Sequence, residues 1–352
     1  MEGEAMTAET THTHPLLQTC ERAIKQRTTL NPCGVEDSDI QLDVGWGADG
    51  DFLLGCEISM ASLAASNSGI RFHFHLFSND TSLLDQQKLI ELARQHELRI
   101  TLYTLDNDYF AQLPTNRLWS SAIYYRFMMA EVLSLSISKM LYLDADVVCQ
   151  GDVTELLEVD LQDNVVAVVP ERDATWWQHQ AEALDCKALE QGYFNSGVML
   201  INLDAWRKEA VLTHILRLVA DQSLHAKLTF YDQDLLNLAL ADKKMFLNSV
   251  YNTQYSLNYE LNSAKRKQFN PNCIFMHFIG PTKPWHLWGQ YPSSQAFQQA
   301  KRHSPWKDEP LQLPASTYQY RYCYKHLIYQ KKILKGYEYF FRYLLRKLLS
   351  RR

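Results

Sequence analysis

The order of periodicities along the chain predicts an α/β fold with a mostly parallel central sheet and helices on both faces. Apolar runs of strand length alternate with segments of helical spacing. The 352 residues, 46% hydrophobic and 21% charged, are enough to bury a sizeable core. Residues 1 to about 38 are polar and read as an irregular, partly disordered extension. Ile40 to Val44 is the first strand and runs into Gly45-Trp-Gly-Ala-Asp-Gly50. Phe52 to Ala65 has helical spacing, Arg71 to Phe77 alternates as a second strand, Ser82 to His96 is helical and Leu98 to Leu105 is a third strand. A loop with Pro114 precedes a helix from about Ser120 to Leu133, and apolar strands follow at Met140 to Leu143, Val165 to Val169 and Gly197 to Asn202. No internal repeat is seen, and the chain turns basic and aromatic after about Trp306.

A net charge of -5 and a pI near 6.2 give no reason to expect nucleic acid as a partner. The seven cysteines are scattered, odd in number and without a Cys-x-x-Cys pair, so neither a disulfide framework nor a zinc site is expected. That usage fits a reducing cytoplasm. The N-terminus lacks the basic and apolar runs of a signal peptide, and no stretch of about 18 apolar residues spans a membrane.

The segment Lys139-Met-Leu-Tyr-Leu-Asp-Ala-Asp-Val-Val-Cys149 sets two carboxylates behind a buried strand. Continued strand alternation would point Asp144 and Asp146 the same way and Ala145 the opposite way. Two carboxylates aimed together suit a hard divalent cation, which in turn holds a diphosphate; a solvated strand end is the ordinary alternative. An Asp-x-Asp after an apolar strand also suggests a haloacid-dehalogenase-type phosphatase, but the acidic pair that chemistry requires downstream is missing. Gly45-Trp-Gly-Ala-Asp-Gly50 fits the dinucleotide fingerprint, yet the acid expected about 20 residues later is absent. A glycine-rich turn, or a loop that holds a nucleotide through Asp49, fits better.

Further segments complete a pattern. These are Tyr124-Tyr-Arg126, Tyr193-Phe-Asn-Ser-Gly-Val-Met-Leu-Ile-Asn-Leu-Asp-Ala-Trp-Arg207, Tyr231-Asp-Gln-Asp234 and His277-Phe-Ile-Gly-Pro-Thr-Lys-Pro-Trp-His286. With the Asp-x-Asp strand, and in this order, they resemble the retaining glycosyltransferases of family eight over roughly residues 40 to 290. The tail, from Lys283-Pro-Trp through Tyr291-Pro and Ser304-Pro-Trp306, resembles the branch that builds Gram-negative lipopolysaccharide cores from UDP-glucose or UDP-galactose.

That resemblance implies a GT-A-type nucleotide-sugar-binding fold. It divides the chain into a 1–38 extension, a 39–290 catalytic domain and a 291–352 lipopolysaccharide-transferase-type region. It implies Mn²⁺ (or Mg²⁺) on Asp144, Asp146 and His277, although a histidine before a Gly-Pro turn is otherwise more often structural. Asp49 would read the uridine, Arg126 would reach the donor, and Gly280 and Lys283 would close over the diphosphate. Asn195, Asp232 and Gln233 would work at the sugar; Asp232 alone reads equally as an acid complementing a helix N-terminus. An acid after Val165 to Val169 would read donor hydroxyls, with Glu171 and Asp173 both eligible. Gln233, a poor nucleophile, at the reaction centre implies a same-face substitution that retains the α configuration. The acceptor would be a lipid A–core oligosaccharide. A catalytically weak carbohydrate-binding or scaffolding protein of the same fold is the competing class.

Between Tyr324 and Arg352, Leu334, Tyr337, Phe341, Leu344, Leu345 and Leu348 share one helical face, with Lys331, Lys332, Lys335, Arg342 and Arg346 largely outside it. Such a helix suits the cytoplasmic surface of an anionic inner membrane; the other reading is a helix packed on the catalytic domain.

Overall fold

The computed structural model describes residues 20–106, 108, 121–262 and 272–349. Its strands are β1 (Ile24–Leu30), β2 (Leu42–Gly47), β3 (Phe72–Ser78), β4 (Arg99–Leu105), β5 (Lys139–Leu143), β6 (Val147–Cys149), β7 (Val166–Pro170), β8 (Phe194–Asn202), β9 (Lys244–Phe246), β10 (Thr253–Gln254) and β11 (Phe275–His277). The main helices are α1 (Leu53–Ser66), α2 (Gln86–Gln95), α3 (Tyr125–Leu133), α4 (Ala174–Ala183), α5 (Leu203–Lys208), α6 (Val211–Ala220), α7 (Asp232–Ala239), α8 (Gln295–Arg302), α9 (Thr317–Tyr329) and α10 (Ile333–Leu349). An eight-stranded sheet runs in the order β1-β4-β3-β2-β5-β8-β7-β9, and a three-stranded sheet in the order β10-β11-β6. β4, β3, β2 and β5 are parallel neighbours, while β8 lies antiparallel between β5 and β7.

Alternation along β3 builds both sides of the sheet. Phe72, Phe74 and Leu76 enter the core shared with α1 and α2, where the Phe74 ring meets Trp46 edge-on at 4.9 Å. On the other face Phe77 joins Met129 and Tyr125 of α3. Gly45 admits that helix, because a Cβ there would lie 2.2 Å from Met129 Sδ. α2 starts at Gln86, later than expected, because Asp85 caps it by accepting from the backbone of Gln87 and Lys88. The expected Pro114 loop and the start of the following helix lie outside the described residues.

Three expectations need correction. Residues 24–30 are not part of an irregular extension: they form an edge strand antiparallel to β4. A half-exposed edge strand tolerates Lys25, Gln26 and Arg27, so its polarity hid it. The strand expected from Gly197 begins earlier, at Phe194, so Asn195 and Ser196 sit inside β8, where the register against β7 slips between Val168 and Val169. The basic tail is two helices rather than one. Lys331, with φ +61°, reverses the chain between α9 and α10, and Gly336 lets them approach, since a Cβ there would lie 2.5 Å from Ile328 Cγ1. The start of the C-terminal region joins the main core through Phe297 and Trp306, which cluster with Trp285 and α1. All seven cysteines are free thiols. Among the described residues no helix is long and apolar enough to cross a membrane.

Glu57 lies buried on α1, and burial pushes its carboxyl up to about 8. A raised acid favours the fold while protonated and loses that advantage as pH climbs from the unfolded value through about 8. Wild-type stability should therefore fall by roughly 1 kcal/mol per pH unit over that window from this group. Glu57→Gln should remove this component, so thermal melts at pH 6 and pH 8 should differ less for the variant than for wild type.

Candidate active site

Asp144 and Asp146 do not continue β5. They occupy a tight turn closed by Val147 N–H donating to Asp144 O at 3.1 Å, after which β6 pairs antiparallel with β11. Strand alternation is therefore not what brings the carboxylates together. The turn sets Val147 opposite His277, and the ligand atoms of Asp144, Asp146 and His277 all fall within 4.8 Å of one another. His277 Nε2 lies 3.2 Å from Asp146 Oδ1 and 3.8 Å from Asp144 Oδ2. On the far side of the ring, Nδ1 bonds Asn252 Oδ1 at 2.9 Å, which holds the proton there and turns the Nε2 lone pair to the carboxylates. Two carboxylates and one imidazole fit Mn²⁺ or Mg²⁺. Lys283 Nζ donates to Asp146 Oδ2 and, at 2.9 Å, to Phe278 O. Burial alone would raise Asp146, but Lys283 and His277 outweigh it and hold the carboxyl below the usual range.

Space for this cluster depends on Gly197. A Cβ there would stand 2.3 Å from His277 Cε1 and 2.8 Å from Asp144 Oδ2. Its carbonyl also accepts from Asp144 N–H at 2.8 Å, fixing the start of the turn.

Arg126 of α3 is buried behind the carboxylates. Its guanidinium donates to Asp144 Oδ1 at 2.9 Å and to Ser196 O and Oγ at 2.8 Å, and lies 3.1 Å from Asp232 Oδ2. Tyr142, two residues before Asp144, donates to the same Oδ1 at 2.8 Å and lays its ring 4.7 Å from the guanidinium carbon. The expected donor-binding arginine thus joins two acids inside the protein. Burial pushes Asp232 up to about 6, with Arg126 opposing.

From Asn252 the network runs on. Asn252 Nδ2 donates to Asn195 Oδ1 at 2.8 Å, and Asn195 Nδ2 donates to Gln233 Oε1 and Glu171 Oε2, both at 3.0 Å. Ser196 N–H also donates to Gln233 Oε1 at 3.2 Å. Glu171, not Asp173, is therefore the acid brought to this cluster; Asp173 caps α4 by accepting from Trp176 N–H at 3.0 Å. Asp232 and Gln233 open α7 directly after Tyr231, whose φ of +41° is a strained conformation for a non-glycine residue. Asp234 anchors that entry, accepting from Thr229 and Phe230 N–H at 2.7 Å.

Asp49 lies in extended backbone beyond the end of β2 and opens the turn at Gly50–Phe52. The Phe52 ring then packs 5.7 Å from Lys283 Nζ and 5.7 Å from the Trp285 ring. Gly280 has φ +86°, and a Cβ there would meet Ser256 Oγ at 2.9 Å, so only glycine suits this loop.

Asn252, Ser196 and Gly197 were not legible as site residues. Tyr142 carried a signal, standing two residues before Asp144, and so did Asn237, one turn after Gln233 on α7, whose Nδ2 donates to Gln233 O and Phe194 O at 2.9 Å. Gly197→Ala should reduce Mn²⁺ affinity by at least about 10-fold with the far-ultraviolet circular dichroism unchanged, as read by Mn²⁺ electron paramagnetic resonance. Wild-type affinity in the variant would show that the crowding is absorbed elsewhere.

The sequence profile of glycosyl transferase family 8 matches residues 44–289, and that of its C-terminal region matches residues 291–347. The lipopolysaccharide 1,3-galactosyltransferase of Salmonella typhimurium is 38% identical over 331 residues, 94% of this chain and 98% of that protein. The lipopolysaccharide glucosyltransferase WaaO of Escherichia coli is 40% identical over 316 residues, 89% of this chain and 93% of that protein. The galactosyltransferase LgtC, solved with donor and acceptor sugar analogs, superposes with a TM-score of 0.63 at 22% identity, over 78% of this chain and 98% of that one. The shared fold is of the GT-A type. By these matches and by its fold, the chain belongs to glycosyl transferase family 8.

Proposed function

We propose that the protein is a metal-dependent retaining hexosyltransferase. It moves glucose or galactose from a UDP-sugar to a sugar hydroxyl of the lipopolysaccharide outer core, forming an α linkage. The observation that carries this reading is the single hydrogen-bonded network joining the Asp144–Asp146–His277 cluster to Asn195, Gln233 and Glu171. Relatives named as lipopolysaccharide galactosyl- and glucosyltransferases support the acceptor class.

Mn²⁺ or Mg²⁺ held by Asp144, Asp146 and His277 would supply Lewis acidity to the departing diphosphate. The chain's own groups do the rest. Lys283 adds a cation beside the same phosphates, and Gly280 lets the backbone close over them. Asp49 meets the uridine. Arg126 keeps Asp144 and Asp232 in fixed relation, so the diphosphate end and the sugar end of the donor are placed together. Asn195, Gln233, Asp232 and Glu171 line the sugar and stabilise positive charge at its anomeric carbon. The bond from that carbon to the phosphate oxygen breaks as the acceptor oxygen attacks from the same face, and the acceptor proton passes to the leaving phosphate. The α configuration is retained without a covalent sugar–protein intermediate.

Docking of a lipid-linked acceptor fits α10. Its apolar stripe faces away from the body of the protein: Leu334 is 89% exposed and Phe341 65% exposed. Packing against the catalytic domain therefore does not account for the stripe. With its lysines and arginines, the helix suits the anionic cytoplasmic surface of the inner membrane, which makes the protein a peripheral cytoplasmic one.

Asp144→Asn or Asp146→Asn should abolish transfer of labelled hexose to core oligosaccharide while thermal melts stay cooperative; full activity in either variant contradicts the metal assignment. Gln233→Ala should lower kcat by about 10²-fold or more with UDP affinity unchanged, whereas His277→Ala and Lys283→Ala should weaken UDP binding in calorimetry. Deleting all residues after Thr317 would also remove His326, whose Nε2 lies 3.1 Å from Thr282 Oγ1 beside Lys283, so the informative truncation stops after Lys332. That chain should keep UDP binding and lose salt-sensitive sedimentation with anionic vesicles. Equal sedimentation of both chains would remove α10 from membrane docking.

A further inference from the structure

We propose that Asp43, His73 and His75 form a second metal site, suited to a borderline transition-metal cation such as Zn²⁺, away from the Asp144 cluster. The β2–β3 register sets Asp43 opposite His73, and strand alternation puts His75 on the same face. Asp43 Oδ1 lies 3.2 Å from His73 Nδ1 and 2.9 Å from His75 Nε2, and the three ligand atoms fall within 4.8 Å of one another. Two ligands about 2.0–2.1 Å from one tetrahedral Zn²⁺ stand roughly 3.3 Å apart, so the donors need little movement.

The remaining ring nitrogens are held as the outer nitrogens of metal-bound histidines are. His73 Nε2 bonds Thr101 Oγ1 at 2.8 Å, and His75 Nδ1 bonds Tyr103 OH at 3.1 Å. Two imidazoles and one carboxylate favour Zn²⁺ over the oxygen-preferring Mg²⁺ and Mn²⁺. Arg99 is the competitor: its guanidinium lies 3.1 Å from His73 Nδ1. It also pairs with exposed Asp37 at 2.6 Å, a partner that would keep it when a cation takes the His73 lone pair. Asp43 also borders a cavity of about 530 Å³ with Ser138, Lys139 and Arg207, so the carboxylate is the member of the cluster next to open space. Asp43 pairs with Met140 across to β5, and Asp144 lies four residues further along, roughly 13 Å away at strand rise. The two clusters are separate, and a cation here would tie β2 to β3.

The test uses the full-length Asp146→Asn chain, stripped with chelator and kept in Mg²⁺, so that the catalytic cluster contributes little. Zn²⁺ is added by equilibrium dialysis, and Co²⁺ is followed by its visible absorption. One equivalent of Zn²⁺ per chain and a Co²⁺ spectrum of nitrogen and oxygen ligation are expected. Asp43→Asn or His75→Gln in the same background should lose that equivalent, and Thr101→Val or Tyr103→Phe should weaken it about 10- to 100-fold. No equivalent in the Asp146→Asn chain overturns the proposal. So does a thiolate-type Co²⁺ spectrum, or an equivalent that persists in His75→Gln with unchanged circular dichroism. Should the cluster variants not fold, the stoichiometry and spectrum of the Asp146→Asn chain decide alone.

Discussion

The buried charge of Arg126 is the constraint on which the site depends. A guanidinium removed from water must be met by opposite charge and by acceptors for its rigid donor fork. Asp144, Asp232 and the backbone and hydroxyl of Ser196 meet it, with the Tyr142 ring alongside. Removing one member of such a buried pair leaves an uncompensated charge, at a cost of about 3–5 kcal/mol. Asp144 of the carboxylate–histidine cluster and Asp232 beside Gln233 are thereby held by one cation, and neither moves without the other.

The chain topology delivers these groups to one place. The parallel strands β2 and β5 end on the same side of the sheet, where open α/β sheets place their ligands. Asp49 and Asp144 leave from those ends. The antiparallel β8 then carries Asn195, Ser196 and Gly197 past the Asp144 turn, and the small second sheet carries His277 to it. Gly197 is the point of closest approach, where any side chain would displace His277 or Asp144. The C-terminal region is continuous with this arrangement rather than appended to it, since His326 of α9 bonds Thr282 and Asn258 beside the Lys283 loop.

Much of this was legible in the sequence because the signals are local. The strands around the Asp-x-Asp segment are short apolar runs, and the motif order from Tyr124 to His286 gave the family and the Asp144, Asp146 and His277 set. What was not legible depends on through-space packing. Lys25, Gln26 and Arg27 gave no sign that residues 24–30 add an edge strand. Asn252 looks like an ordinary loop residue, and only folding places it between His277 and Asn195. Glu171 and Asp173 were inseparable until the backbone turned one toward Asn195 and made the other a helix cap. The outward apolar stripe of α10 was readable from its period, but the reversal at Lys331 was not.

The proposed reaction moves a hexose from UDP onto the lipopolysaccharide core with its configuration kept. The most direct measurement offers radiolabelled UDP-glucose and UDP-galactose separately to the wild-type protein with Mn²⁺ and truncated lipopolysaccharide cores, and reads the anomeric configuration of the product by nuclear magnetic resonance. Transfer from one of the two donors with an α-linked product is the predicted result. No transfer from either donor to any core, or a β-linked product, would contradict it.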